Sequence, residues 1–242
     1  MGNVEANGPA VAEPRLAASV ILLRDAPLPV ENPEDPVSEL EVFVQHRVST
    51  MDFAAGMVVF PGGRVDRADD DGWDFADELA ARHAEAWRRS SIAVEPSAAR
   101  RNAGRVLAAA QREVFEEAGL KLDAASLRPW ANWVTPEDEP KRFDTYFYLA
   151  APDSTAEPMH QTTEASSSLW MPIRGILDAE AAGTLKLMPP TLALLDELVA
   201  LGTVEAVLAQ VRDIVPVRRK PGDREEFFRL RRERGSAAPS AG

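Results

Sequence analysis

Glu113, Glu116 and Glu117 are the residues of this 242-residue chain with the clearest chemical potential. On a helix, residues three and four apart lie on one face, so the three carboxylates project together within a few ångströms. Charged faces are common, and a Glu-Glu pair on an exposed helix is usually no more than a solvated surface. The same cluster of oxygen donors is what Mg²⁺ or Mn²⁺ requires, and a bound cation would cancel the mutual repulsion. Four neighbouring features favour the chemical reading. Gly119-Leu120 ends the helix directly after the cluster, Val114 and Ala118 supply a buried side, Arg112 is placed to pair with Glu116, and the glycine pair Gly62-Gly63 lies upstream. The chemistry such a cluster could support is that of a bound divalent cation, which polarises what it holds and lowers the pKa of a bound water.

The acids need a helix and a close neighbour. Ser97 to Ala118 reads as a long alanine-rich helix, with Ser97 as N-cap and Gly119 as its stop. Met57 to Phe60 reads as a short strand halted by Pro61-Gly62-Gly63, where glycine allows close backbone approach. Ala17 to Arg24 and Leu40 to Arg47 read as two further strands, separated by Pro27, Pro29, Pro33 and Pro36. An acidic turn with Asp66, Asp69, Asp70 and Asp71 precedes a helix predicted over Trp73 to Arg89, which Pro96 ends. Arg128 to Val134 and Phe143 to Leu149 alternate as strands do, and Ser168 to Met171 adds a short one. Helical spacing returns from Ile173 to about Arg212, punctuated by Gly183, Pro189-Pro190 and Gly202. Residues 1–14 read as a flexible tail, 15–215 as the folded domain and 216–242 as a charged, disordered tail.

Composition narrows the class. With 45% hydrophobic residues the chain can bury one substantial core. A formal net charge of -12 argues against nucleic acid or an anionic membrane as a partner, so an anionic small molecule needs local cations. The absence of cysteine excludes disulfides, thiolate metal sites and cysteine nucleophiles, and no run reaches bilayer length, so a cytoplasmic location is expected. His46, His83 and His160 show no metal-ligand spacing, and no P-loop is present.

Arg112-Glu113-Val114, Glu116-Glu117 and Gly119-Leu120 match every fixed position in the second half of the Nudix signature, and the chain resembles the Nudix hydrolases. Gly63 stands at the glycine of the first half, and Asp69 takes the place of its glutamate. Arg112 then lies about 35 residues beyond the signature spacing, so residues 70–102 read as a helical insert within the motif, where loop length costs little. The resemblance is nearest to the peroxisomal-type coenzyme A diphosphatases, through Phe60-Pro61-Gly62-Gly63-Arg64-Val65-Asp66, Trp133-Val134-Thr135-Pro136 and Arg142-Phe143-Asp144-Thr145. In the arginine-containing motif of bacterial coenzyme A pyrophosphatases, Arg47 and Gly56 keep their places, while Asp52 replaces the second arginine.

The resemblance implies an α/β/α sandwich with a mixed sheet. It implies metal ligation by Glu113, Glu116 and Glu117, an orienting role for Arg112, and a general base at Glu113 or Glu164, the latter six residues before Trp170 on a segment that reads as loop. Arg47, Gly62, Gly63, Arg64 and Arg142 are candidates for substrate contact. The implied substrate is coenzyme A or its acyl form, with Trp73 and Trp87 offered to the pantetheine or acyl arm. Two rivals stand beside it: hydrolysis of ADP-ribose or a dinucleotide, suggested by Pro136 beyond Gly119, and a non-catalytic nucleotide-binding module. A homodimer stays open.

Overall fold

The computed structural model describes residues 11–27, 38–48, 56–153, 157–161, 163–220, 222–223 and 229. Asp52, Pro29, Pro33 and Pro36 lie outside the described residues, as do 1–10 and nearly all of the chain beyond Asp223.

Strand β1 (Arg15–Pro27) organises the sheet. Its first part pairs in parallel with β6 (Phe143–Ala150) on one side and antiparallel with β4 (Gly62–Arg64) on the other. Its last five residues turn to pair with β2 (Ser38–Arg47). β2 carries β3 (Val58–Val59) and β7 (Ala165–Pro172), while β6 continues to β5 (Arg128–Val134) and β8 (Val217–Arg218). Two of these pairings are parallel and the rest antiparallel, so the eight-stranded sheet is mixed.

Side chains alternate across this sheet with period two, which separates two cores. Ala18, Val20 and Leu22 of β1 enter the core shared with helices α1 (Asp77–Ala86) and α2 (Pro96–Ala118). Ile21 and Leu23 enter the opposite core, beneath α3 (Ile173–Ala181) and α4 (Pro189–Leu201), with the short α5 (Val204–Leu208) following. Helices on both faces make the expected α/β/α sandwich. Val106, Leu107 and Val114 of α2 are fully buried, and each contributes roughly 1.5 to 3 kcal/mol through lost water contact. That burial seats the acidic helix against the sheet.

Several local expectations change. Helix α2 begins with Pro96 at its first position, and Glu95, not Ser97, stands at the N-cap. Proline suits this place because the first-turn N–H has no helical partner to lose. Helix α1 is shorter than the predicted Trp73 to Arg89; Trp73 instead stacks on Phe75 and donates from its indole to the Asp69 carbonyl at 3.0 Å. Gly62 and Gly63 open strand β4 rather than forming a free turn. β7 begins at Ala165, so Ser166 and Ser167 belong to a strand although their polarity reads as loop. Ser167 pairs with His46 of β2, Ser166 sits at the register shift and donates from its hydroxyl to the His46 carbonyl, and both residues stay exposed. Val217 and Arg218, assigned by charge to the tail, pair with Trp133 and Val134. Among the described residues, no helix is long and apolar enough to cross a membrane.

Candidate active site

Helix α2 brings its acids to the edge of the sheet at β4. A Cβ on Gly63 would overlap the Glu113 carboxylate, so the missing side chain is what lets that carboxylate lie against the strand. A Cβ on Gly62 would overlap the Ala18 carbonyl, which accounts for the second glycine. The Gly62 N–H donates to Glu117 Oε2 at 2.9 Å. The left-handed Gly119, with φ of 65°, stops the helix two residues later. Its end is held further by the Met159 and Gln161 N–H groups, which donate to the carbonyls of Ala118 and Glu117. The same segment leads into Glu164.

Arg112 is the hub. Its Nε and Nη2 donate to the two carboxylate oxygens of Asp69, both at 2.9 Å, in a bidentate pair. Its Nη1 donates to Glu113 at 2.8 Å and to Glu116 at 3.2 Å, and Nη2 also reaches the Arg64 carbonyl. The hydrogen bond to Asp69 pushes the guanidinium pKa up, against the effect of burial. Asp69 is 2% exposed and also accepts from the Asp66 N–H in a capping box. Asp69, which stands where the signature has a glutamate, is thus the buried anchor of the arginine. Its spacing from Gly63 was the available signal.

Across the cleft, Arg47 donates to Glu164 at 3.2 Å. A register shift between His46 and Arg47 in the β2 to β7 pairing sets this position, as bulges commonly re-aim a side chain. Arg47 Nε is buried without a hydrogen-bond partner among the described residues. Arg142 donates to the carbonyls of Thr135 and Ala12, which ties it to the cleft wall. These groups border a cleft of 1460 Å³ that takes in Arg47, Gly62, Gly63, Arg64, Glu113, Glu116, Glu117, Arg142 and Glu164. Every site residue expected from the sequence except Arg112 therefore lines one cleft, and Arg112 acts from behind its carboxylates.

Burial pushes the Glu117 carboxyl up to about 7, with the Gly62 N–H opposing and Glu113 adding to the rise. Burial likewise raises Glu113, while Arg112 opposes it. Among the described residues, no three Asp, Glu or His side chains form a ready cluster for a metal ion; Arg112 bonds Glu113 and Glu116, and the Gly62 N–H bonds Glu117.

Trp87 does not reach the cleft. It is fully buried, edge-on to Tyr146 and Tyr148, and donates to the Tyr148 hydroxyl at 3.3 Å. Trp73 packs against Gly104 of α2. Sequence reasoning missed Lys141 and Arg219, which also line the cleft; neither belongs to a recognisable motif.

Residues 100–190 match the NUDIX domain family model. The chain is 28% identical over 156 residues to a Caenorhabditis elegans protein whose name places it among the nudix hydrolases as number 7, covering 62% of this chain and 52% of that protein. It therefore spans about half the length of that curated relative. A NUDIX hydrolase crystal structure from Alicyclobacillus acidocaldarius superposes with a TM-score of 0.62 and 27% identity, over 84% of this chain and 98% of that one.

Proposed function

From the match of residues 100–190 to the NUDIX domain family model, we propose that this chain is a metal-dependent pyrophosphohydrolase of nucleoside diphosphate derivatives, with coenzyme A or acyl-coenzyme A as the preferred substrate. The observation that carries the reaction class is the set of Glu113, Glu116 and Glu117 gathered at the glycines of β4 inside one large cleft. The family model begins at residue 100, yet Gly62 hydrogen-bonds Glu117 of the matched helix. That supports reading residues 70–102 as an insert between two halves of one motif, within a domain spanning 15–215.

Mg²⁺ or Mn²⁺ fits the donor set by chemistry: all candidate ligands are carboxylate oxygens, with Glu117 buried, Glu113 half-buried and both pKa values raised. Glu113, Glu116 and Glu117 would hold it, exchanging their present bonds to Arg112 and Gly62. Such an ion, when bound, neutralises charge on the pyrophosphate and acidifies water. Arg112, fixed by Asp69, orients Glu113 and Glu116. Glu164, held by Arg47 and open to the cleft, is placed to take the proton as water oxygen bonds to phosphorus and the bridging P–O bond breaks. Glu113 is the alternative base. Arg47 and Arg64 face the phosphates, and coenzyme A would yield phosphopantetheine and adenosine 3′,5′-bisphosphate.

The subgroup rests on the turn Phe60 to Asp66 and on the Trp133 and Arg142 segments, all of which border the cleft. Asp52, where an arginine belongs in the bacterial motif, weighs on the other side. The deciding experiment is Mg²⁺- and Mn²⁺-dependent turnover of coenzyme A, acyl-coenzyme A, NADH, ADP-ribose and diadenosine polyphosphates. Coenzyme A compounds should lead; cleavage of ADP-ribose without coenzyme A would overturn the substrate. No metal-dependent phosphate release on any of them would favour a non-catalytic nucleotide-binding module.

A further inference from the structure

We propose that Trp73, in the proposed insert, is a positioning residue for Arg112: seated in a notch that Gly104 leaves in α2, it holds the turn that carries Asp69 and so fixes the guanidinium behind the acids. This rests on the orienting role given to Arg112 above and names what the insert contributes to the same site.

Gly104 lies buried in the interior of α2, a place where glycine disfavours a helix. A Cβ there would overlap the six-membered ring of the Trp73 indole, so the missing side chain is the space that the ring fills. Phe75 stacks on the same indole, with ring centroids 5.3 Å apart and planes 9° from parallel, and packs in turn against the core beneath α2. Two neighbours thus hold a half-buried tryptophan. Trp73 does not border the cleft, so its effect on the site passes through other groups.

The link to the site is one residue long. The indole N–H donates to the Asp69 carbonyl at 3.0 Å, and the Asp69 carboxylate accepts two bonds from Arg112, each at 2.9 Å. The backbone oxygen of Asp69 therefore faces the insert while its side chain faces the site. On α2, Gly104 and Arg105 precede Arg112 by about two turns, so the three share one broad stripe of the helix. The segment from Asp69 to Asp77 is fastened to α2 by three ion pairs: Asp69 to Arg112, Asp70 to Arg105 and Asp77 to Arg100. The pair at Asp77 is exposed and the one at Asp70 partly so, and long side chains in contact with water fix a position only loosely. An indole with two side-chain torsions, held in a notch of its own shape, sets the place of the turn more narrowly. A small shift of that turn would carry the Asp69 carboxylate and Arg112 with it. Glu113 and Glu116, held by Arg112 Nη1 at 2.8 and 3.2 Å, would then lose their alignment.

The test compares the full chain with Gly104→Ala, Trp73→Phe, Trp73→Ala and the double variant Trp73→Ala/Gly104→Ala. Hydrogen exchange at the Arg112 Nε–H, followed by NMR in the metal-free protein, reads the pair with Asp69 directly and needs no substrate. It should quicken about tenfold in Gly104→Ala and in Trp73→Ala, and less in Trp73→Phe, which keeps a ring in the notch. The double variant should match Trp73→Ala, because the added methyl then meets empty space. A further quickening of about tenfold there would place the effect of Gly104→Ala in the helix itself and overturn the inference. On whichever compound of the panel wild type cleaves, kcat should fall about tenfold in Gly104→Ala while KM holds. A purely structural seat would instead lower the melting temperature and leave both constants of the folded molecule unchanged. Gly104→Ala and Trp73→Phe carry the test should Trp73→Ala fail to fold. Unchanged exchange at Arg112 overturns the inference, as does faster exchange with kcat unchanged. If wild type cleaves none of the panel, the proposed activity fails by itself, and exchange at Arg112 alone judges Trp73.

Discussion

Two residues that touch the acids without belonging to them govern the site. Gly63 has no Cβ where the Glu113 carboxylate rests, and the obstacle to a methyl group there is the mobile end of a side chain. Gly63→Ala should therefore keep nearly the wild-type melting temperature yet lower kcat about 10²-fold, as small displacements of a reacting group do. Gly62→Ala would meet the Ala18 backbone instead and should destabilise the fold. Asp69 holds Arg112 by two bonds from a position almost sealed from water. Asp69→Ala should cost about 3 kcal/mol, the low end for stranding a buried ion-pair partner because Arg112 keeps some solvent contact. Denaturant unfolding checks the first number, and turnover should fall with it as Arg112 loses its orientation.

At the scale of elements, the helices preceding α2 work as packing and as a brace. Trp87 fills the core between α2 and the sheet, and Ser91 of the following turn donates to Asp144 of β6. Asp144 is buried and also accepts from the Asn132 amide at 2.6 Å. The Arg142-to-Thr145 segment thus joins three elements. Trp87→Ala should cost about 3 to 5 kcal/mol and leave KM unchanged for coenzyme A and short acyl-coenzyme A. A KM that rises selectively with acyl length would restore Trp87 to a substrate pocket. The helix pattern over Ser97 to Ala118 was legible because apolar residues recur at helical spacing. The β7 serines were not, because a strand's backbone pairing leaves no mark on residues whose side chains face water.

For the whole molecule, two buried groups pull stability in opposite directions with pH. Burial lowers the His83 pKa from 6.5 to about 4, with Arg82 adding to the shift. Its contribution is therefore complete above pH 6.5 and is lost as pH falls toward 4. Burial raises Glu117 from 4.5 to about 7, so ionising it costs stability as pH rises across that interval. From pH 4.5 to 6.5 the two slopes offset one another in the metal-free protein. Glu117→Gln should unmask the histidine, so that stability rises with pH across that window, by at most about 1.4 kcal/mol per pH unit because the raised Glu113 still opposes it. Urea unfolding of both proteins in EDTA at several pH values measures it; parallel profiles would sink the assignment.

The sequence by itself determined the core of the candidate site, because Arg112 to Ala118 lies on one continuous helix, where spacing alone sets which side chains share a face. It also determined the sandwich, through the alternation of strand and helix patterns and the Nudix resemblance. The tertiary structure decided what depends on segments far apart in the chain: Gly62 beneath Glu117, Asp69 behind Arg112, Arg47 facing Glu164, and β8 joining the sheet. These contacts arise from strand register and from the close approach of backbones. A single sequence carries no local signal for either, so Asp69 and Arg219 acquire their places only when β4, α2, β5 and β8 come together.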